Sequence, residues 1–236
     1  MKFKHVFVIG LGGTGSHLIG PLVQLMRFHP EGTNEFTLID GDDYELGNAK
    51  RQVIKNGWVG TNKAQATADR LGRETIRVIP KFIDKNSFTK IVNKEVSKDD
   101  SFLVIPTVDN NATRKAILEA LDEGGYTNFV WASPGNGFDT GQLVLYIKEN
   151  GVALTLHPTL KCPNLANPRD AIPAEDGCER HINSSPQLIT ANFLAAGITL
   201  TAISNMLDEK GWYEEYHFNC RKGKMVPQGT CKGVLV

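Results

Sequence analysis

The chain has 236 residues, of which 41% are hydrophobic and 22% are charged, and its 26 Lys and Arg residues balance its 26 Asp and Glu residues. This length suits one large α/β domain or two small ones. The balanced charge does not favour nucleic acid or a membrane as the main partner. We find no apolar run near the roughly 20 residues that span a bilayer. The first predicted strand follows the N-terminus at once, so we expect no signal peptide and a cytoplasmic location.

Strand and helix patterns alternate through the first half of the chain. Apolar runs predict strands, and apolar residues at helical spacing predict helices. In chain order these are strand 5–9, helix 15–28, strand 35–40, helix 62–73, strand 76–82, strand 101–108, helix 113–123 and strand 129–132. Pro21 predicts a kink or a late start in the first helix, and Pro80 predicts an irregular or edge position for the third strand. The alternation predicts a Rossmann-like doubly wound, mostly parallel α/β sheet with helices on both faces.

The second half of the chain has a different pattern. The turn Glu149-Asn150-Gly151 is typical of a hairpin, so we predict antiparallel strands over 141–148 and 152–156. The proline-rich stretch 157–185 has no clear period, and long loops of this kind are often functional. A helix over 186–207, which Ser185 can cap, and a hairpin over 215–229 complete the predicted elements.

The most informative stretch is the glycine-rich turn that follows the first strand. It contains Gly10, Gly12, Gly13 and Gly15. Glycine lets the backbone approach a phosphate closely, and the N-terminus of the next helix offers free N–H groups and the positive end of its dipole. The turn predicts a phosphate site, although these glycines alone fit any nucleotide or dinucleotide binder.

Further motifs follow this turn in a fixed order. The full set is Gly10-Leu11-Gly12-Gly13-Thr14-Gly15, Leu38-Ile39-Asp40-Gly41-Asp42, Asn48 with Arg51-Gln52, Val59-Gly60-Thr61-Asn62-Lys63-Ala64, and Val108-Asp109-Asn110 with Arg114. The set resembles the E1-like activating enzymes, which comprise ThiF, MoeB and the adenylation domains of ubiquitin-like-protein activators. The resemblance is carried by residues 6–114 and continues more weakly to about residue 207. It implies one adenylation domain over 1–236, with an ATP-binding half (1–135) and a substrate-binding half (136–236) that contains a crossover loop (157–185).

The resemblance implies ATP and Mg²⁺ as cofactors and the adenylation of a C-terminal glycine carboxylate. Both reacting partners are anions, so such a site must supply positive charge and hold them in line. Asp40 would bind the ribose, Arg51 and Lys63 would neutralise the triphosphate, and Asp109 would hold Mg²⁺. The implied nucleotide-binding residues are Gly10, Gly12, Gly13, Thr14, Gly15, Asp40, Asp42, Asn48, Arg51, Gln52, Lys63, Asp109 and Asn110. Each has an ordinary structural alternative, such as a turn or helix cap for Asp40 and Asn110.

The four cysteines, at positions 162, 178, 220 and 231, are widely spaced and form no Cys-x-x-Cys pair. The spacing indicates neither a disulfide framework nor the four-cysteine zinc site that many relatives carry. Cys178 precedes the predicted helix 186–207, where thioester-forming relatives have a cysteine in a similar place. The resemblance therefore implies a catalytic Cys178. Arg180 and His181 would favour the thiolate form of this cysteine. Cys162 is the rival in the same loop, and a cysteine without a chemical role is the structural alternative.

The resemblance also implies partners. These are a small ubiquitin-like protein with a C-terminal glycine, an E2-like conjugating enzyme that would receive a thioester, and a second copy of the chain in a homodimer, with no nucleic acid and no membrane. Many relatives carry an N-terminal arm whose arginine reaches the partner subunit's ATP. Since this chain enters its first strand directly, we do not expect that arginine from such an arm.

Three alternative functions remain open. The first is a ThiF/MoeB-type adenylyltransferase that acts on a sulfur-carrier protein, a peptide or a tRNA base and forms no enzyme thioester. The second is a nicotinamide-dependent oxidoreductase, which the glycine turn alone would fit; no hydride-transfer constellation follows it. The third is a non-catalytic dimeric scaffold. The motifs that include Arg51, Lys63 and Asp109 argue against the last two.

Overall fold

The computed structural model describes residues 2–173 and 187–232. The strands are β1 (His5–Ile9), β2 (Phe36–Ile39), β3 (Ile76–Ile79), β4 (Ser101–Pro106), β5 (Asn128–Asn136), β6 (Thr140–Glu149), β7 (Val152–Ala153), β8 (Trp212–Asn219) and β9 (Lys224–Lys232). The α-helices are α1 (Gly13–Phe28), α2 (Lys63–Leu71), α3 (Lys85–Glu95), α4 (Asn111–Glu123), α5 (Pro158–Lys161), α6 (Pro163–Ala166) and α7 (Ile189–Leu207).

The described strands form a nine-stranded sheet in the order β3-β2-β1-β4-β5-β6-β8-β9, with β7 beside β6. Strands β1 to β5 pair in parallel, and β6 to β9 pair antiparallel. This confirms the predicted fold class. Because β2 lies on one side of β1 and β4 on the other, the direction of winding switches between β1 and β4. In sheets of this type, ligands bind in the crevice beyond the carboxyl ends of the strands at the switch point.

Helices cover both faces of the sheet, and each face has its own apolar cluster. Strand β1 shows why, because all five of its residues are buried. Val6 and Val8 contribute to the cluster beneath α1, α2 and α7, whereas Phe7 and Ile9 contribute to the cluster beneath α3 and α4. Side chains alternate between the two faces of a strand, so a continuous apolar run is required where both faces are covered.

Several elements differ from the sequence predictions. Helix α3 was not predicted; its N-terminus is capped by Asp84, whose side chain accepts a hydrogen bond from the Ser87 N–H at 2.7 Å. Helix α1 runs through Pro21 and begins at Gly13, two residues before its predicted start. Strand β3 ends at Ile79 and lies at the edge of the described sheet, as Pro80 predicted.

In the second half, the predicted hairpin turn is confirmed by the positive φ angles of Asn150 and Gly151, but its second strand is shortened to Val152–Ala153. The predicted irregular stretch 157–185 contains two short helices, α5 and α6, in its described part. Both contain a proline in their first turn, a position where the missing N–H has no helical partner to lose.

Helix α7 corrects two sequence predictions. It begins at Ile189 with Leu188 as its N-cap, so Gln187 and Leu188 do not belong to the helix that was predicted over them, and the predicted first residue Pro186 and cap Ser185 lie outside the described residues. Its 19 residues carry no charged side chain and have a mean hydropathy of 1.3, so the chain does contain an apolar segment long enough to cross a membrane by length and composition. Half of this segment is buried, against α1 and the strands β5, β6 and β8. The apolar composition of α7 is therefore explained by its place in the core.

Candidate functional site

The glycine turn lies at the switch point and fits tightly against the end of β4. Gly10 has a φ of +89°, and a Cβ there would lie 3.0 Å from the backbone of Thr107. A Cβ on Gly15 would lie 2.2 Å from the Gly10 carbonyl oxygen. At Gly12 the nearest atom to a Cβ would be Gln52 Nε2, at 3.8 Å. Gly10 and Gly15 are thus required by packing, whereas Gly12 faces the more open side of the turn.

Helix α1 starts from this turn with the properties of an anion site. Its N-cap is Gly12, which has no side chain to occupy the first N–H groups of the helix. Four N–H groups at a helix N-terminus lack helical partners, and the helix dipole is positive there. The arrangement suits a phosphate group.

Asp40, at the carboxyl end of β2, ties this turn to the neighbouring strand. Its Oδ2 accepts a hydrogen bond from the Leu11 N–H at 2.5 Å, and its Oδ1 accepts one from the Asp42 N–H at 2.9 Å. Burial raises the pKa of Asp40 to about 6, against the opposing effects of Lys63 and of these N–H donors. Each carboxylate oxygen has a second lone pair, so Asp40 retains the capacity to accept hydrogen bonds from ribose hydroxyls.

Lys63 lies next to this carboxylate at the start of α2. Its ammonium group donates to Asp42 Oδ2 at 2.9 Å, and its side chain is 7% exposed. Burial acts to lower the pKa of Lys63, but Asp40 and Asp42 outweigh it and raise the pKa above its usual value. Asn62 fixes the backbone here, because its Oδ1 caps α2 and its Nδ2 donates to the Asp40 carbonyl at 2.9 Å. Lys63 is therefore a protonated cation held close to two carboxylates.

Arg51 and Gln52 approach the turn from the segment between β2 and α2. Arg51 Nη1 donates to Gln187 Oε1 at 3.1 Å, and the Arg51 carbonyl lies 3.2 Å from His17 Nε2. Gln52 is buried, and its Oε1 has no hydrogen-bond partner among the described residues. The other end of the amide faces the turn, because Gln52 Nε2 is the atom nearest to a Cβ built on Gly12.

Asp109 lies on the other side of the turn, three residues after the end of β4, and is exposed to solvent. Its loop is held by Arg114, which donates to the Val108 carbonyl and to Ser133 Oγ. Burial lowers the pKa of Arg114 to about 10, and Asp109 opposes that shift. Asn110 is buried and caps α4 by accepting a hydrogen bond from the Thr113 N–H at 2.8 Å. The exposed Asp109 carboxylate is thus presented by a fixed loop.

The exposed Asp109 carboxylate is suited to a cation. Within the described ranges, no three His, Cys, Asp or Glu side chains gather into a metal cluster. Mg²⁺ is commonly held by one or two carboxylates together with substrate phosphates, and Asp109 would fit that role.

Other predicted residues have local partners or lie elsewhere. Asn48 Oδ1 accepts the Glu45 N–H at 3.0 Å within a turn of 3-10 helix, Leu46–Lys50. Cys178 lies outside the described residues. Burial raises the pKa of the half-buried Cys162 thiol, which does not suit a nucleophile at neutral pH.

Three residues of the site were missed by sequence reasoning. Asn136, Gln187 and Asn192 connect the glycine turn to Arg51 through hydrogen bonds. They belong to none of the motifs. A detectable signal was Asn192, an amide within an otherwise largely apolar helix.

A glycine turn at the switch point of a doubly wound sheet, flanked by Asp40 and Asp109 and approached by Arg51 and Lys63, defines a nucleotide-binding type of α/β protein. The chain belongs to the ThiF family, whose family model matches residues 1–217. This confirms the family resemblance predicted from the motifs.

Particular relatives are similar over parts of their length. The chain is 29% identical to a tRNA threonylcarbamoyladenosine dehydratase of Haemophilus influenzae over 123 residues, which is 50% of this chain and 43% of that protein. It is 34% identical to the adenylyltransferase and sulfurtransferase MOCS3-1 of Zea mays over 116 residues, which is 48% of this chain and 23% of that protein. These matches span less than half of either relative.

Solved structures share the fold. E. coli MccB with ATP superposes with a TM-score of 0.61 at 17% identity, over 99% of this chain and 65% of that one. The match therefore leaves about a third of that structure without a counterpart in this chain.

Proposed function

We propose that this protein is an ATP-dependent adenylyltransferase that activates the C-terminal glycine of a small ubiquitin-like protein. The observation that carries the proposal is the placement of two cations and two carboxylates around one glycine turn. Arg51 and Lys63 supply positive charge suited to a triphosphate, and Asp40 and Asp109 flank the turn on its two sides. MOCS3-1 is itself named an adenylyltransferase, and E. coli MccB has been solved with ATP.

In the proposed reaction, an oxygen of the glycine carboxylate attacks the α-phosphorus of ATP. The bond between the α-phosphorus and the bridging oxygen breaks, and pyrophosphate leaves with that electron pair. The N-terminus of α1 would hold phosphate oxygens, and Arg51 and Lys63 would stabilise the negative charge that develops. Asp40 would orient the ribose. Mg²⁺, when held by Asp109 and phosphate oxygens, would neutralise part of the triphosphate charge.

Pyrophosphate exchange into ATP tests this proposal. Arg51→Ala should reduce exchange by about 10²–10³-fold, by analogy with the loss of one preorganised donor at a transition state. Lys4→Ala is a control, because Lys4 lies at the amino end of β1, away from the carboxyl ends of the strands where the site is, and pairs with Asp100. Exchange that survives in the Arg51 variant at the level of the Lys4 variant would show that the site assignment is wrong.

We further propose that the adenylate passes to Cys178. Its thiolate would attack the acyl carbon, and AMP would leave as the thioester forms. The described residues on either side of the segment 174–186 support this. Asp170 accepts the Asn111 N–H at 2.9 Å at the start of α4, and Gln187 contacts Arg51. The chain therefore leaves and re-enters the described structure beside the site.

Trapping the thioester on a non-reducing gel tests this second step. Wild type and Cys162→Ala should both form an adduct with the ubiquitin-like protein that thiol reagents reverse, and Cys178→Ala should not. If the Cys178→Ala variant transfers the ubiquitin-like protein as fully as wild type does, the reaction needs no thioester on Cys178. The enzyme would then stop at the adenylate, as an activator of a sulfur carrier or peptide would. E. coli MccB, solved with MccA, offers a structural likeness for that outcome.

The proposed enzyme acts as a homodimer and passes its thioester to an E2-like conjugating enzyme. The outer face of α7 is uncharged and includes Phe193, whose exposure is 65%. Sedimentation of wild type and of Phe193→Glu tests the dimer: a dimer that becomes monomeric in the variant supports this face as the interface, and a monomeric wild type contradicts the dimer.

A further inference from the structure

A buried polar network joins helix α7 to the glycine turn. Asn192, in the first turn of α7, is fully buried. The Thr14 hydroxyl donates to Asn136 Oδ1 at 3.0 Å and lies 3.3 Å from Asn192 Oδ1. Asn136 Nδ2 donates to Asn192 Oδ1 at 3.2 Å. Three polar side chains from α1, β5 and α7 therefore meet directly behind the first turn of α1.

The shapes of the two segments are also matched. A Cβ on Gly13 would lie 2.5 Å from Asn192 Oδ1 and 2.7 Å from its Cγ. The Asn192 amide thus occupies the space that a side chain at position 13 would need. A glycine is required at position 13 because the side chain of Asn192, 179 positions later in the chain, occupies this space. Any need for the backbone to approach a ligand would favour glycine there as well.

The amide of Asn192 makes one further hydrogen bond among the described residues, from its Nδ2 to the Leu188 carbonyl of the same chain segment at 3.5 Å. Its neighbours on the buried face of α7 are mainly apolar, among them Ala191, Ala195 and Ala196. Burying an amide is unfavourable unless its hydrogen bonds are made. A leucine would fill a similar space without that requirement, so what Asn192 provides beyond the start of its own helix is its contact with Thr14 and Asn136.

The same network reaches Arg51. The Asn136 carbonyl accepts a hydrogen bond from Gln187 Nε2 at 3.1 Å, and Gln187 Oε1 accepts one from Arg51 Nη1 at 3.1 Å. One connected set of amides therefore contacts both the turn that would hold phosphate and the cation that would neutralise it.

We propose that Asn192 is a positioning residue, which fixes the first turn of α1 through Thr14 so that its N–H groups are aimed at the nucleotide phosphates. This inference rests on the proposed adenylation function, because it assigns the phosphates of ATP to that turn. Asn192 does not contact the nucleotide itself. A small displacement of groups that bind a reacting substrate can reduce rates by as much as about 10²-fold, so positioning at this distance is effective.

The test compares Asn192→Leu with Thr199→Val. Thr199 is also fully buried in α7, and its hydroxyl bonds only to the Ala195 carbonyl of its own helix, at 2.8 Å, among the contacts of the described residues. ATP affinity is measured by calorimetry without any protein substrate, and thermal unfolding is measured in parallel. We expect Asn192→Leu to weaken ATP binding about tenfold, which corresponds to one lost hydrogen bond. Thr199→Val should bind ATP as wild type does.

A double-mutant cycle with Thr14→Val separates positioning from general loss of packing. If Asn192 acts through Thr14, the double variant should bind ATP about as weakly as either single variant. Losses that simply multiply would contradict the proposal, because independent sites are additive. Thr14→Val keeps the shape of threonine, so it also tests the inference if Asn192→Leu fails to fold. Wild-type ATP affinity in Thr14→Val would then overturn it.

Failure of this inference and failure of the proposed function give different results. Wild type that binds no ATP and catalyses no pyrophosphate exchange contradicts the proposed function. Wild type that binds ATP, with Asn192→Leu within about twofold of it, leaves the function intact and removes Asn192 from any positioning role.

Discussion

The two carboxylates on either side of the glycine turn have opposite environments. Asp40 is buried, and both of its oxygens accept backbone N–H groups. Asp109 is exposed on a loop that Arg114 holds from behind. Asp40 is therefore part of the scaffold of the turn, whereas Asp109 is presented to whatever enters the crevice.

This difference shows how one site can combine rigidity with chemistry. A carboxylate fixed by backbone N–H groups can set the position of a ribose, but its burial carries a free-energy penalty for the charged form. A solvated carboxylate carries no such penalty and can exchange water for Mg²⁺. Changes at the two positions should consequently affect stability and catalysis in different proportions.

The largest effect is expected at Asp109. Asp109→Asn should reduce pyrophosphate exchange by about 10²–10³-fold, because the carboxylate that would hold Mg²⁺ beside the triphosphate is lost. Its melting temperature should stay that of wild type, since the exposed carboxylate is not part of the core. Asp99→Asn is the matched control, as Asp99 is exposed and precedes the same strand at its opposite end. Equal exchange in the two variants would remove Asp109 from the reaction.

The next effect concerns the pH dependence of stability at Asp40. Its pKa is about 6 in the folded protein and 3.8 as the ordinary value, so the folded state binds a proton more readily than the unfolded chain does. The contribution of Asp40 to stability is therefore fully present below about pH 4 and falls as pH rises to about 6, by about 3 kcal/mol.

Denaturant titrations of wild type and Asp40→Asn from pH 4 to pH 7 measure this term. The free energy of unfolding of wild type should fall relative to that of the variant by about 3 kcal/mol over that range. If the free energies of unfolding of the two proteins change with pH in the same way, burial does not raise the pKa of Asp40. Exchange activity should fall in the variant even where its stability exceeds that of wild type.

A smaller effect separates packing from ligand access within the turn. Gly15→Ala should destabilise the fold by about 1–3 kcal/mol, because its Cβ would lie 2.2 Å from the Gly10 carbonyl oxygen. Gly12→Ala should fold with little loss, since its Cβ would have no atom closer than 3.8 Å, but its methyl group should weaken ATP binding. Melting temperatures and calorimetric ATP titrations check both variants, and a reversed order would contradict the geometry of the turn.

Much of the first half of the site could be predicted from sequence. Gly10, Asp40 and Asp109 follow strands whose apolar runs are unambiguous, and parallel strands bring their carboxyl ends to one edge of the sheet. Local rules are therefore enough to place these residues at the carboxyl ends of neighbouring strands. The sequence could not show that Lys63 pairs with Asp42, because that contact depends on how α2 packs.

The contacts from the second half could not be predicted. Asn192 and Thr14 are 178 positions apart, and neither a spacing rule nor a motif links them. Helix α3 was missed although Phe88, Ile91 and Val92 stand at helical spacing and Asp84 and Ser87 form its cap, so the signals for it were present in the sequence. The start of α7 was placed too early because a serine followed by proline is typical of a helix start, whereas this helix begins at Ile189 after Leu188.

The central claim is that the crevice at the glycine turn adenylates a C-terminal glycine. The most direct test is pyrophosphate exchange into ATP with a small ubiquitin-like protein that ends in glycine, run beside the same protein without its last glycine. We expect exchange with the intact protein and none with the shortened one. Exchange that is equal with both proteins, or that persists when neither is added, would contradict the claim.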